Sequence, residues 1–155
     1  MGPETLTPFV ECSIKYGKGL FILVKTSNPG SGWLQDKKID EEIISDRIAM
    51  LVAELSLKTI ENSGLSSIGA VVGATYPEEG KRLRGIMNNS VILAPGIGAQ
   101  GGNQEDIQAL RRQGISGVLV PVSRGITKVD DLTITRDDYA GLIREQICFF
   151  KKSLK

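Results

Sequence analysis

Histidine is absent from all 155 residues. That excludes a Ser-His-Asp triad, a Cys-His pair and any histidine-ligated metal within the chain. Cysteine is nearly absent too. Cys12 and Cys148 are far apart, each inside a predicted helix. Two thiols cannot complete a zinc site, so they read as reduced cytosolic side chains behaving as small apolar groups. No apolar run approaches the roughly 18 residues that a membrane span needs. The first residues lack a basic stretch followed by an apolar run and do not read as a secretory signal. Charge of one sign is also missing: Lys plus Arg number 19 and Asp plus Glu 18, for a net charge of +1. No strong field exists to attract nucleic acid or an anionic membrane, and neither is predicted as a partner. The expected location is the cytoplasm.

Apolar residues make up 41% and charged residues 24%, as in a soluble domain long enough to bury a core. The pattern alternates short apolar runs with helical stretches. Residues 19–26 (GLFILVKT), 68–74 (IGAVVGA), 91–95 (VILAP) and 117–123 (GVLVPVS) read as strands buried on both faces. A leading helix is predicted over 3–16. A long one is predicted over 41–62, with Ile44, Ile48, Leu51, Val52 and Leu55 on its buried face and Gly64 as its stop. Pro77 opens a helix to 87, with Glu78 and Glu79 in its first turn. Asn103 caps a helix ending at Gly114, and Thr135 caps one reaching 153, with Tyr139, Leu142, Ile143, Ile147 and Phe150 on one face.

Strands alternating with helices predict a parallel sheet, whose ligand end is the carboxyl end of the strands. Polar residues and many of the 18 glycines gather there. The loop Gly96 to Gly102 (GIGAQGG) follows a strand and precedes a helix, so its backbone N–H groups can approach an anion. It satisfies G-x-G-x-x-G but does not open the first strand-helix unit, which weakens the dinucleotide reading. A structural tight turn and a phosphate loop remain open beside it. Arg124, between Ser123 and Gly125 at a strand end, presents a planar fork suited to phosphate. The charged run 36–41 (DKKIDE) reads as a solvated loop. Lys25 is a weaker candidate base at the end of the first strand.

Taken together, the segments GLFILVKTSNPGSGWLQD (19–36), IGAVVGATYPEE (68–79), VILAPGIGAQGG (91–102) and VPVSRGI (120–126) resemble the orotidine 5'-phosphate decarboxylases, in the bacterial subgroup called type 2. The resemblance covers essentially the whole chain in order and spacing. It implies a TIM (β/α)8 barrel, of which residues 1–155 supply the last four βα units, beginning near 19, 68, 91 and 117. It implies decarboxylation of orotidine 5'-monophosphate to UMP with no metal and no organic cofactor. Carried over by motif, Thr26 and Ser27 face the pyrimidine and Pro95 lines the pocket. Gln100 reaches across the nucleotide, while Arg124 and the backbone N–H of Ser123 hold the phosphate.

The family's catalytic signature, Asp-x-Lys-x-x-Asp at the end of the third strand, has no counterpart here. Asp36, Lys38 and Glu41 imitate its spacing after the wrong strand. The chain reads as strands five to eight, about 100 residues short of a typical barrel of about 250. Four such strands cannot close, so two edges and one apolar face stay open. The expectation is a truncated or mis-started frame, inactive alone, that aggregates, forms a homodimer or pairs with an N-terminal half. The alternatives are a flavodoxin-like nucleotide- or phosphate-binding module with helices on both sheet faces, and an NADP-binding domain using the glycine loop and Arg124.

Overall fold

The computed structural model describes residues 2–97, 102–112, 117–131 and 133–153. A 3-10 turn, Pro3–Leu6, leads into α1 (Thr7–Tyr16). Then come β1 (Leu20–Lys25), α2 (Gly32–Gln35), β2 (Lys38–Ile39), β3 (Glu42–Ile43) and α3 (Ile44–Ser56). The remainder is β4 (Ser66–Val72), α4 (Pro77–Ile86), β5 (Ser90–Leu93), α5 (Gln104–Leu110), β6 (Val118–Leu119), α6 (Arg124–Thr127) and α7 (Arg136–Ser153). Four strands form one sheet in the order β1-β4-β5-β6, every neighbouring pair parallel. Each main strand lies beside the next one in sequence, as successive βα units of a barrel do. Among the described residues no helix is long and apolar enough to cross a membrane.

The alternation of the strands decides which face is covered. Val24, Ile68, Ala70, Val72, Ile92 and Ala94 are buried in one cluster, with Leu20, Ile22, Val118, Val120 and Val122 packed against it. Helix α3 packs on β1, β4 and β5, and Val10 of α1, Leu83 of α4 and Ile107 and Leu110 of α5 join the same cluster. The residues between them on the strands point the other way. Phe21 lies against Gly69 and is 39% exposed, while Leu23 and Leu119 are 53% and 52% exposed. Among the described residues helices therefore cover one face only. This corrects the expectation of strands buried on both faces, and it removes the flavodoxin-like alternative, which needs two helical layers.

Helix α3 meets the sheet through small residues. Ser45, Ala49, Val52 and Ser56 are its buried positions, whereas Ile48, Leu51 and Leu55 flank them half-buried. Small side chains let the helix backbone approach the strands closely, which a count of large apolar residues does not anticipate. The helix also starts later than predicted. Lys38–Ile39 and Glu42–Ile43 pair as a short antiparallel hairpin, with Asp40 and Glu41 at positive φ in its turn. The helix ends at Ser56 and a 3-10 turn extends it to Thr59, so Gly64, at φ 72°, serves the turn before β4. Asn103 caps α5 as predicted, in a reciprocal capping box with Asp106. Helix α7 is less buried than its pattern suggested: Leu142 and Ile147 are exposed, and Phe150 makes its contact with the core.

One charged side chain staples the amino ends of the strands. Arg84, 6% exposed, donates from Nε to the Leu110 carbonyl at 2.8 Å. Its Nη1 donates to the carbonyls of Met87 and Ser90, each at 2.8 Å, and its Nη2 to that of Gly117 at 3.1 Å. The end of α4, the end of α5, the start of β5 and the approach to β6 thus share one guanidinium. Burial, reinforced by the nearby charge of Arg112, pulls its pKa down to about 10, so it remains charged at neutral pH. Arg84→Ala removes four hydrogen bonds, leaving Met87 and Gly117 with only the backbone donors Ser90 N–H and Ile92 N–H, and is expected to cost about 3 kcal/mol of stability. Arg47→Ala breaks a half-exposed pair with Glu42 and is expected to cost about 1 kcal/mol or less. Urea unfolding of the two variants checks the contrast.

Candidate functional site

The carboxyl ends of β1, β4 and β5 are tied together by backbone hydrogen bonds. Gly73 N–H donates to the Lys25 carbonyl at 2.9 Å, and Ala74 N–H to the Pro95 carbonyl at 2.8 Å. Ser27 sits on this joint. A Cβ at Gly73 would stand 2.7 Å from Ser27 N and 2.8 Å from its Cα, so only glycine admits Ser27 there. Gly96, at φ 120°, faces Ser27 Cβ and Thr75 Cγ2 from the third strand end. The Thr75 hydroxyl donates to the Ser27 carbonyl at 3.4 Å. Neighbouring Thr26 is held by Gln35, whose Oε1 accepts from Thr26 N–H at 2.9 Å and from its hydroxyl at 3.2 Å.

Pro95 and Gly96 also line a small cavity of about 180 Å³ with Pro121, Ser123, Arg124 and Gly125. That volume suits a phosphate group and is below the range of whole-ligand pockets, roughly 300–1,000 Å³. Arg124 is exposed at the start of α6, and the Ser123 carbonyl accepts from Ile126 N–H, Thr127 N–H and the Thr127 hydroxyl. Gly125 lets the Phe150 ring pack against this turn, since a Cβ there would meet the ring at 2.9 Å. The structure therefore gathers Ser27, Pro95, Ser123 and Arg124 at one end of the sheet, with Thr26 alongside. Gln100, with Gly98 and Gly101, lies outside the described residues. A larger cavity of about 670 Å³ lies at the opposite, amino end of the strands, between α4 and α5. Its buried cation, Arg84, is committed to carbonyls, so it is not the candidate site.

Lys25 is the residue that sequence reading undervalued most. It is 1% exposed, yet it ends β1. Its ammonium donates a hydrogen bond to Asp36 Oδ1 and lies 3.1 Å from Glu79 Oε2, within ion-pair distance. The Tyr76 ring centroid is 5.1 Å away. Burial pulls the ammonium's pKa down, but the hydrogen bond to Asp36 and the charge of Glu79 outweigh it, leaving the pKa above the ordinary lysine value. Asp36 is thus part of a built cluster and not a member of a solvated loop. Lys38 and Glu41, 3.5 Å apart and exposed, do match the solvated reading. Among the described residues no group of three or more Cys, Asp or Glu side chains is placed to hold a metal ion.

A family model described as orotidine 5'-phosphate decarboxylase / HUMPS family matches residues 1–135. The chain belongs to that family. The orotidine 5'-phosphate decarboxylase of Rhodopirellula baltica is 42% identical over 141 residues, 89% of this chain and 47% of that protein. The enzyme of Caldicellulosiruptor bescii is 44% identical over 126 residues, 81% of this chain and 41% of its own length. The chain thus spans about half the length of the curated relatives it matches. The solved structure of Leishmania donovani OMP decarboxylase superposes with a TM-score of 0.66 at 30% identity, covering 96% of this chain and 53% of that one. Leishmania donovani UMP synthase does so at 0.69 and 33%, covering 96% and 31%. The one-sided, sequentially ordered parallel sheet is accordingly a part of the OMP decarboxylase barrel.

Two outcomes test the geometry. Gly73→Ala drives a methyl group into the Ser27 backbone and is expected to cost about 1–3 kcal/mol, while Gly85→Ala, in open space on α4, changes stability by less than about 1 kcal/mol. Chemical unfolding measures both. The raised Lys25 pKa gives a stabilisation present below the unfolded lysine pKa of about 10.4 and lost as pH rises through the higher folded value. Wild-type protein is therefore expected to lose stability relative to Lys25→Met above about pH 10.4, read from urea midpoints across that range.

Proposed function

We propose that this chain supplies the pyrimidine- and phosphate-binding loops of an orotidine 5'-phosphate decarboxylase, as the C-terminal half of the barrel domain. The observation that carries the reading is the convergence of Pro95, Gly96, Ser123 and Arg124 around one small cavity, with Ser27 beside Gly96. In this reading Arg124 and the Ser123 N–H hold the phosphate, Pro95 lines the pocket, and Thr26 and Ser27 face the base. Gln100 is assigned by motif alone. Binding a remote phosphate can be used to order the site and stabilise the transition state. The residues present therefore bind and orient the nucleotide.

The proton that replaces the departing carboxylate comes, in this family, from a lysine of the Asp-x-Lys-x-x-Asp segment, which is not in this sequence. Lys25 does not substitute for it, because its ammonium is engaged by Asp36 and Glu79. The chain is therefore inactive alone. Chemistry requires a segment bearing the signature, and the sheet face left uncovered among the described residues offers the surface to receive it. A second copy of the chain on that face is the other assembly that the same surface supports. A soluble enzyme of this kind would work in the cytoplasm. No observation favours the dinucleotide reading, since the glycine loop follows the third strand of the sheet and not the first.

Calorimetric titration with UMP, and an assay of orotidine 5'-phosphate decarboxylation, test the proposal. UMP is expected to bind, and Arg124→Ala to weaken it by about 30- to 100-fold, the worth of a charged phosphate contact. No turnover is expected from the chain alone, with turnover appearing when an N-terminal half is supplied. Turnover without that half contradicts the proposal.

A further inference from the structure

We propose that Lys25 is a positioning residue for the base-binding loop, acting through Asp36 and Glu79 and leaving the phosphate end untouched. This rests on the proposed reading of the site. Lys25 directly precedes Thr26 and Ser27. The pairing of β1 with β4 shifts between Leu23 and Lys25, so Lys25 stands opposite Val72 where regular alternation would pair Val24 with it. The irregularity brings its ammonium to two carboxylates on two different segments, Asp36 at the end of α2 and Glu79 in α4.

Asp36 follows Gln35 at the end of α2. Gln35 Oε1 accepts both hydrogen bonds from Thr26, while Asp36 Oδ1 accepts one from Lys25. Two consecutive residues of one loop thus clamp two consecutive residues of the strand end. Gly32 leaves room for the carboxylate, since a Cβ there would lie 2.6 Å from Asp36 Oδ2. Glu79 is in the first turn of α4, just beyond Thr75 and Tyr76. Lys25 thereby also anchors the loop whose Thr75 hydroxyl reaches the Ser27 carbonyl. Both walls around Ser27 are referred to one buried cation.

The carboxylates are partly open to water, Asp36 at 43% and Glu79 at 31%, whereas the ammonium is sealed. An internal cation with two partly exposed anions is an arrangement for fixing loops, because either loop that drifts leaves a charge buried without its partner. The phosphate cavity, by contrast, is framed by Pro95, Ser123 and Arg124, none of which is a partner in the cluster's ion pairs. The two ends meet where Gly96 packs on Ser27 and Thr75, but the charges that hold the base loop are not those that frame the phosphate, so loss of the Lys25 cluster falls on the base side.

The experiment compares UMP with ribose 5-phosphate, which keeps the phosphate and lacks the base. Both are titrated calorimetrically into wild-type protein, Lys25→Met and Asp36→Asn. Lys25→Met is expected to weaken UMP about tenfold while ribose 5-phosphate stays within about twofold, since only charge-assisted contacts to the base loop are lost. Asp36→Asn, which keeps the shape of the clamp, is expected to show the same selective loss to a smaller degree and decides the matter if Lys25→Met does not fold. Equal losses for both ligands, or no loss for either, overturn the inference. Wild-type protein that binds UMP no better than ribose 5-phosphate overturns it as well. Wild-type protein that binds neither overturns the underlying reading of the site, and the inference with it.

Discussion

Phe21, Leu23, Val71, Leu93 and Leu119 lie on the sheet face that no helix among the described residues covers, and β1 and β6 leave an unpaired edge on each side. Three of these side chains are more than a third exposed. In a closed barrel the same positions point inward and pack on one another. Here they meet water, and each fully buried apolar side chain forgone costs about 1.5–3 kcal/mol. The rest of the molecule is arranged around this constraint. Among the described residues all helical packing is on the opposite face, so α3, α4 and α5, with Val10 of α1 and Phe150 of α7, carry the core, and the carboxyl ends of the strands carry the loops.

Within that half, the two ends of the sheet do different work. Arg84 gathers four carbonyls at the amino end and holds the strands to the helices. Lys25 gathers two carboxylates at the carboxyl end and holds the loops to the strands. Glycines at 73 and 96 bring three strand ends close enough for Ser27 to be supported from two sides. The site thus depends on packing that the half barrel supplies by itself, while its chemistry depends on a segment it does not contain.

Much of the fold was legible in the sequence. The four apolar runs became the four strands, in order, and Pro77 and Asn103 opened their helices because fixed φ and a side-chain cap act locally. The gathering of Ser27, Pro95, Ser123 and Arg124 at one end of the sheet was legible because strand ends converge in any parallel sheet. The Lys25 cluster was not. Its members at 25, 36 and 79 are joined only by tertiary contact, and a lysine inside an apolar run gives no sign of its partners. Arg84 was hidden for the same reason, since backbone carbonyls leave no mark in a sequence. Val52, Ile48 and Leu55 of α3 do face the core, but Ser45, Ala49 and Ser56 were missed because size was read as burial.

The central claim is that this chain is one side of a barrel whose inner face is open and must be covered by something else. Sedimentation equilibrium of the purified chain, with a fluorescent dye that reports exposed apolar surface, tests it most directly. Self-association or aggregation is expected in the isolated chain with strong dye binding, both reduced when Leu23 and Leu119 are changed to serine. A compact monomer that binds no dye would contradict it.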